Sequence, residues 1–187
     1  MKSIRGFTLI EITIVVTIIA LLGTIFIANY RGGERQFALK RSAHKLSQDL
    51  RTAQEMAMSS QTTPLEFGPE TFPKGGYGIY FEEGASSYIL FADCDGDGLY
   101  DNTGGALSCR DAVEITPFPE KIEEIFLEKG ISIDSLFPVS PSISLTFFPP
   151  DPVLTIKPDS NSASVILSFD GQTKTVSINS LGLIDID

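Results

Sequence analysis

Between Phe7 and Ala28 the chain runs FTLIEITIVVTIIALLGTIFIA, twenty-two residues with no Lys, Arg, Asp, Asn, Gln or Pro and a single charge, Glu11. About 20 apolar residues in a helix, each rising about 1.5 Å, match the roughly 30 Å hydrocarbon core of a bilayer. The run therefore predicts a transmembrane helix over 7–28, on which everything that follows is carried. Lys2 and Arg5 make residues 1–6 a basic leader, which the positive-inside preference keeps on the cytoplasmic side, sending the C-terminal part outward. A secretory signal has an apolar region of about 7–15 residues that ends in small residues at a cleavage site. This run is longer and lacks that ending. Glu11 is the anomaly. A carboxylate costs about 2.5 kcal/mol or more at the bilayer centre and somewhat less near its face, so a partner is expected.

The string RGFTLIEI, Arg5 to Ile12, resembles the processing site of type IV pilins and pseudopilins. The resemblance implies that a dedicated prepilin peptidase cuts after Gly6 and that the new first residue, Phe7, is N-methylated. It also implies that Glu11 pairs with the terminal amine of a neighbouring subunit. The cost of a submerged acid agrees with that role, because Glu11 then gains its partner only in an assembly.

Past the apolar run, Asn29-Tyr30-Arg31-Gly32-Gly33 has the composition of a membrane exit, and the glycine pair predicts a bend or break. Many pilins have proline where this chain has Ala28, so the resemblance also implies a helix less easily kinked than theirs. Helical periodicity resumes over 29–60: Leu39, Ala43, Leu46, Leu50, Ala53 and Ala57 form one stripe, while Lys40, Lys45, Asp49, Arg51 and Glu55 fall largely elsewhere. The run is too short in heptads and too rich in alanine to favour a coiled-coil seam, so the stripe predicts a core contact. His44, beside it, reads as a solvated helix residue.

Residues 61–187 change pattern to short strands separated by turn signals. Strands are predicted at 64–67, 77–81, 88–92, 113–116, 122–127, 142–147, 153–156, 163–169, 174–178 and 181–184, with an Asp170-Gly171 hairpin. The segment 137–158, rich in proline and aromatics, also reads as a surface excursion and a partner contact. The fold class expected is α+β: a long N-terminal helix, transmembrane then amphipathic, packed on an antiparallel β-sandwich-like domain. Residues 61–187 hold six Lys/Arg against twenty Asp/Glu. Such a field repels phosphate backbones and argues against nucleic acid as a ligand.

The helix segment SAHKLSQDLRTAQEMAMSSQ, then GGYGIYF, SYILFAD and TVSINSLGLIDI, is similar to the H-type minor pseudopilins of type II secretion and their FimT-like pilus relatives. That resemblance implies a structural subunit of a pseudopilus, held in the bacterial inner membrane with its domain in the periplasm before joining a filament of other pseudopilins or pilins. A minor type IV pilin acting in pilus assembly, adhesion or DNA uptake is the alternative. An anchored monomeric binding module is a third reading. FimT-like proteins of DNA uptake end in a basic glycine-arginine tail, whereas this chain reads Leu181-Gly182-Leu183-Ile184-Asp185-Ile186-Asp187.

Asp93-Cys94-Asp95-Gly96-Asp97-Gly98-Leu99-Tyr100-Asp101 has the opening of a calcium loop. Asp93, Asp95, Asp97 and Asp101 can converge on one hard cation, Gly98 allows the sharp turn, and the Leu99 carbonyl supplies a further ligand. Gly104 stands where a bidentate glutamate is usual, so only the weak, extracellular class of affinity, about 10⁻⁴–10⁻³ M, is expected. The competing account is an acidic Asx turn. Cys94 and Cys109 are the chain's two cysteines, and on the exported side a disulfide between them is expected. Two cysteines without a nearby histidine make a poor zinc site. No nucleophile elbow, phosphate loop or histidine-based constellation points to catalysis.

Overall fold

The computed structural model describes residues 7–62, 72–101, 120–149 and 153–187, leaving out the side chains of 25–32. The chain divides into two compact units, Met1–Phe37 and Ala38–Asp187. One helix, α1 (Leu9–Met58), enters both. The backbone is helical through Asn29–Gly33, so the break expected there is absent. Two glycines without a proline cost about 1 kcal/mol each in a helix, too little to end one this long.

In the first unit α1 starts on a cap that the sequence spells out. Thr8 and Glu11 have the Thr-x-x-Glu spacing of a capping box, and Thr8 Oγ1 accepts the Glu11 N–H at 3.4 Å. Glu11 thus lies in the first turn, where the helix dipole favours an acid. Thr13 and Thr17 donate their hydroxyls to the Leu9 and Thr13 carbonyls at 2.8 Å, which hides polar groups within an apolar surface. Among the described residues no helix is long and apolar enough to cross a membrane. The described side chains of the apolar run in α1 stop at Thr24, short of the about 20 residues that a span takes.

In the second unit the predicted stripe is the helix's buried face. Leu39, Ala43, Leu46, Leu50, Ala53 and Ala57 are all buried, and His44 is exposed. They share one core with two antiparallel sheets. The first sheet contains β1 (Gly76–Glu82), β2 (Ser87–Asp93), β3 (Lys121–Phe126), β5 (Ser142–Phe148) and β6 (Val153–Lys157), in the order β3-β2-β1-β5-β6. The second contains β4 (Ser132–Phe137), β7 (Ser162–Phe169), β8 (Gln172–Asn179) and β9 (Ile184–Ile186), in the order β4-β7-β8-β9. The α+β architecture with a helix packed on a sandwich-like pair of sheets is therefore as expected.

Tyr77, Ile79 and Phe81 of β1 alternate inward, as do Tyr88, Leu90 and Ala92 of β2. Tyr88 ties this sheet to α1 by donating its hydroxyl to Asp49, and Tyr77 donates to the carbonyl of Gln61, just past the helix, at 2.8 Å. Arg41 forks onto Glu128 at 2.7 and 2.8 Å, with both partners largely exposed.

Several strand expectations need correction. The segment 137–158 is not a surface excursion: it holds β5, central in its sheet, with Ile143, Leu145 and Phe147 buried. Strand β4 was not expected. Its inward residues Ile131, Ile133 and Leu136 are spaced two and then three apart, because a bulge between Ile133 and Ser135 shifts the register and breaks the period-2 signal. The last strand is Ile184–Ile186, later than the predicted 181–184. Asn179 Oδ1 accepts the N–H groups of both Leu181 and Leu183 at 3.0 Å, which makes that stretch a turn. The strands expected at 64–67 and 113–116 lie outside the described residues.

Candidate functional site

Two groups of residues stand apart from the core. The first is the N-terminal run. Phe7 is 81% exposed and Leu9 85%, and Ile10, Ile12, Val15, Val16 and Ile19 are exposed with them. An apolar surface this extensive on one helix is matched by lipid or by other helices. Phe7 and Glu11 line one concavity of about 350 Å³ with Ile12, Val15 and Val16. Phe7, the residue expected to become the new terminus, and the acid therefore share one patch, while Gly6 lies outside the described residues.

The second is the aspartate loop, which leaves β2 and folds over the outer face of its own sheet. Tyr100 meets the rings of Phe91 at 5.5 Å and Tyr80 at 4.9 Å, and its N–H donates to Ser144 Oγ at 3.2 Å. Thr146 Oγ1 donates to the Gly98 carbonyl at 3.3 Å. Gly98, with φ near 78°, adopts the left-handed backbone that its place in the loop demands.

The loop's acids have two different roles. Asp93 is buried and accepts from Gly96 N–H at 2.7 Å and Gly98 N–H at 2.9 Å. Asp95 accepts from Asp97 N–H at 3.1 Å and Asp97 from Leu99 N–H at 2.7 Å, the Asx turns of the competing account. Carboxylate oxygens of Asp95, Asp97 and Asp101 lie within 4.8 Å of one another, and so do those of Asp93, Asp95 and Glu120. Asp95 links the two groups. Oxygens about 2.3–2.6 Å from a common ion can be up to about 5 Å apart, so either group suits a hard cation such as calcium.

Glu120 was not picked out from sequence. It sits just before β3, buried, and accepts from Cys94 N–H at 2.8 Å and Asp101 N–H at 3.1 Å, bracketing both ends of the loop. No local motif announces it, because it lies nineteen residues beyond Asp101 and meets the loop only through the pairing of β2 with β3. No described cysteine is free, and Cys94 is held in a disulfide. Cys109 lies outside the described residues.

Burial raises the Glu120 carboxyl to about 8 against the opposing effect of its two backbone donors, and raises Asp93 to about 6 in the same way. Both folded values exceed the unfolded ones, so the folded state binds more protons and stability falls as pH rises. In metal-free buffer, the unfolding free energy is expected to decrease from about pH 5 to pH 8. Denaturant melts across that window check this; a rise over the same interval contradicts it.

The family model for the prokaryotic N-terminal methylation motif matches residues 1–27. No curated protein and no solved structure matches the chain. The matched segment contains Gly6, Phe7 and Glu11, the residues on which processing and pairing were expected. Such a motif goes with cleavage by a prepilin peptidase and with assembly into filaments with other pilins. Over residues 1–27 the chain thus carries the N-terminal methylation motif that is typical of type IV pilins and pseudopilins.

Proposed function

We propose that the chain is a minor pseudopilin, a structural and assembly subunit of a type II secretion pseudopilus. It waits in the inner membrane through residues 7–28 and is then drawn into a periplasmic filament. The observation that carries this reading is the exposed apolar run bearing one acid beside the processing site. A helix bundle of siblings would cover that surface. The acidic surface of residues 61–187 favours this reading over DNA uptake, since a phosphate backbone would be repelled. A minor type IV pilin remains the second reading, because the N-terminal motif serves both.

A deletion strain separates them: loss of protein secretion with normal twitching supports the pseudopilus, and the reverse pattern supports the pilus. Mature protein that still begins at Met1 refutes both. A merely anchored monomer would leave both phenotypes intact.

In this reading the aspartate loop holds a structural calcium ion. Asp95, Asp97 and Asp101 supply carboxylates, joined by Asp93 and the Leu99 carbonyl, and Glu120 fastens the loop's two ends. The ion would offset the mutual repulsion of these acids. A Cys94–Cys109 disulfide would close residues 95–108, most of the aspartate loop among them, and restrict their unfolded states. Calorimetry on the full chain in detergent is expected to give a dissociation constant of about 10⁻⁴–10⁻³ M. Glu120→Gln is expected to weaken binding about 10-fold or more. Absence of any calcium heat at millimolar concentration sinks the site.

A further inference from the structure

Two surfaces of the second unit are opposite in charge. The first is the outer face of α1. Residues 38–58 hold four Lys/Arg against two Asp/Glu, whereas residues 61–187 hold six against twenty. Of the helix's two acids, Asp49 is already engaged: it accepts the Tyr88 hydroxyl and lies 3.6 Å from Lys45. Lys40 and Arg51 are exposed and enter no ion pair among the described residues. They are three helical turns apart, so they stand on one side of α1, about 16 Å from each other along its axis.

The second surface is a knob built from the β1–β2 turn, the start of β4 and the loop that joins β4 to β5. Glu83 N–H donates to the Pro141 carbonyl at 2.9 Å, Gly84 N–H to the Ile133 carbonyl at 2.8 Å, and Ile133 N–H to the Ala85 carbonyl at 2.9 Å. These bonds tie the three segments together. Glu82, Glu83 and Asp134 are exposed on them, again with no ion pair among the described residues. Val139, two residues before Pro141, is 92% exposed, more than any other large apolar side chain of the described residues. It supplies an apolar point beside the three charges, a combination that suits a protein interface.

An acidic surface keeps other acidic surfaces at a distance and accepts a basic one. This chain carries both. We propose that a second copy docks on the outer face of α1, its Glu82, Glu83 and Asp134 meeting Lys40 and Arg51 and its Val139 resting on their aliphatic stems. The two patches are unlike, so the contact is heterologous: each added copy leaves one patch of each kind open, and copies add in a row. The inference names meeting surfaces for the filament reading above and rests on it for its setting, while its test needs no secretion or pilus machinery.

The test is sedimentation of the full chain in an uncharged detergent, which keeps anionic headgroups away from the cations. Self-association is expected at about 50 mM salt and should weaken at least about 5-fold at about 500 mM, as exposed charges are screened. Lys40→Glu/Arg51→Glu and Glu82→Lys/Glu83→Lys should each weaken it about 10-fold or more, because like charges then face each other. Mixed together, the two variants should associate again, since the acidic helix of one meets the basic turn of the other. All four positions are exposed, so both variants should melt with the wild type. Asp134→Lys replaces the second variant should that one misfold. A wild type that stays monomeric overturns the proposal. Association that ignores salt and both charge reversals also overturns it and belongs to the apolar run of residues 7–28. So does a mixture no tighter than either variant alone. Each of these outcomes leaves the filament reading to its own tests, the mature N-terminus and the deletion strain.

Discussion

Glu11→Ala is expected to remove the chain from filaments while leaving its folded domain intact. In the proposed assembly the carboxylate of one subunit meets the methylated amine of the next, both in a region of low dielectric. Removing one partner of a buried ion pair costs about 3–5 kcal/mol, because the other charge is left uncompensated. At 1.4 kcal/mol per factor of ten, that is a loss of about a hundredfold to a few thousandfold in incorporation. Glu11→Asp should recover part of it and Glu11→Gln little, since the amide keeps the shape but not the charge.

The variant should still be cleaved and should melt with the wild type, because Glu11 belongs to the Met1–Phe37 unit and its N–H bonds back to Thr8 within that unit. That control separates assembly from capping. A lost cap would cost about 1 kcal/mol of helix stability locally and could not account for a hundredfold defect. Filament preparations quantified by immunoblot decide the matter: wild-type incorporation of Glu11→Ala rules out the pairing.

The second large effect is expected at Gly78. A methyl group there would lie 2.5 Å from the Leu145 carbonyl oxygen and 2.7 Å from the Phe91 ring. Both neighbours are fixed. Leu145 is the register partner of Ile79 in the β1–β5 ladder, and Phe91 is wholly buried against Tyr100. Gly78→Val should therefore cost at least the about 1–3 kcal/mol typical of overpacking. At about 2–4 °C per kcal/mol for a domain of this size, the melting temperature should fall by roughly 3–10 °C. Displacing Phe91 also removes the support beneath Tyr100, so the calcium heat should weaken as well. A variant as stable as wild type would mean that Phe91 is not held as described.

These two positions differ in how they can be found. Glu11 is visible to anyone reading the chain, because one acid among twenty-one uncharged residues is a local anomaly with a known energetic cost. Gly78 sits in an ordinary-looking GGYGIYF, and only the Leu145 carbonyl and the Phe91 ring packed on it in the fold make it irreplaceable. The same contrast runs through the loop. Asp93 to Asp101 have the spacing of a calcium loop in sequence alone, yet Glu120 meets that loop only through the β2–β3 pairing.

The sequence by itself determined whatever depends on neighbours a few residues apart. The apolar run, the stripe from Leu39 to Ala57 and the Asp170-Gly171 turn, both of whose residues have positive φ, are set by helical period and turn stereochemistry. Tertiary structure alone decided that β5 lies between β1 and β6, that a bulge turns β4 inward, and that a glutamate far along the chain closes the aspartate loop. The reason is physical. Strand partners are selected by burial and register across long loops, and a one-dimensional pattern records which face of a strand is apolar but not which strand it will meet.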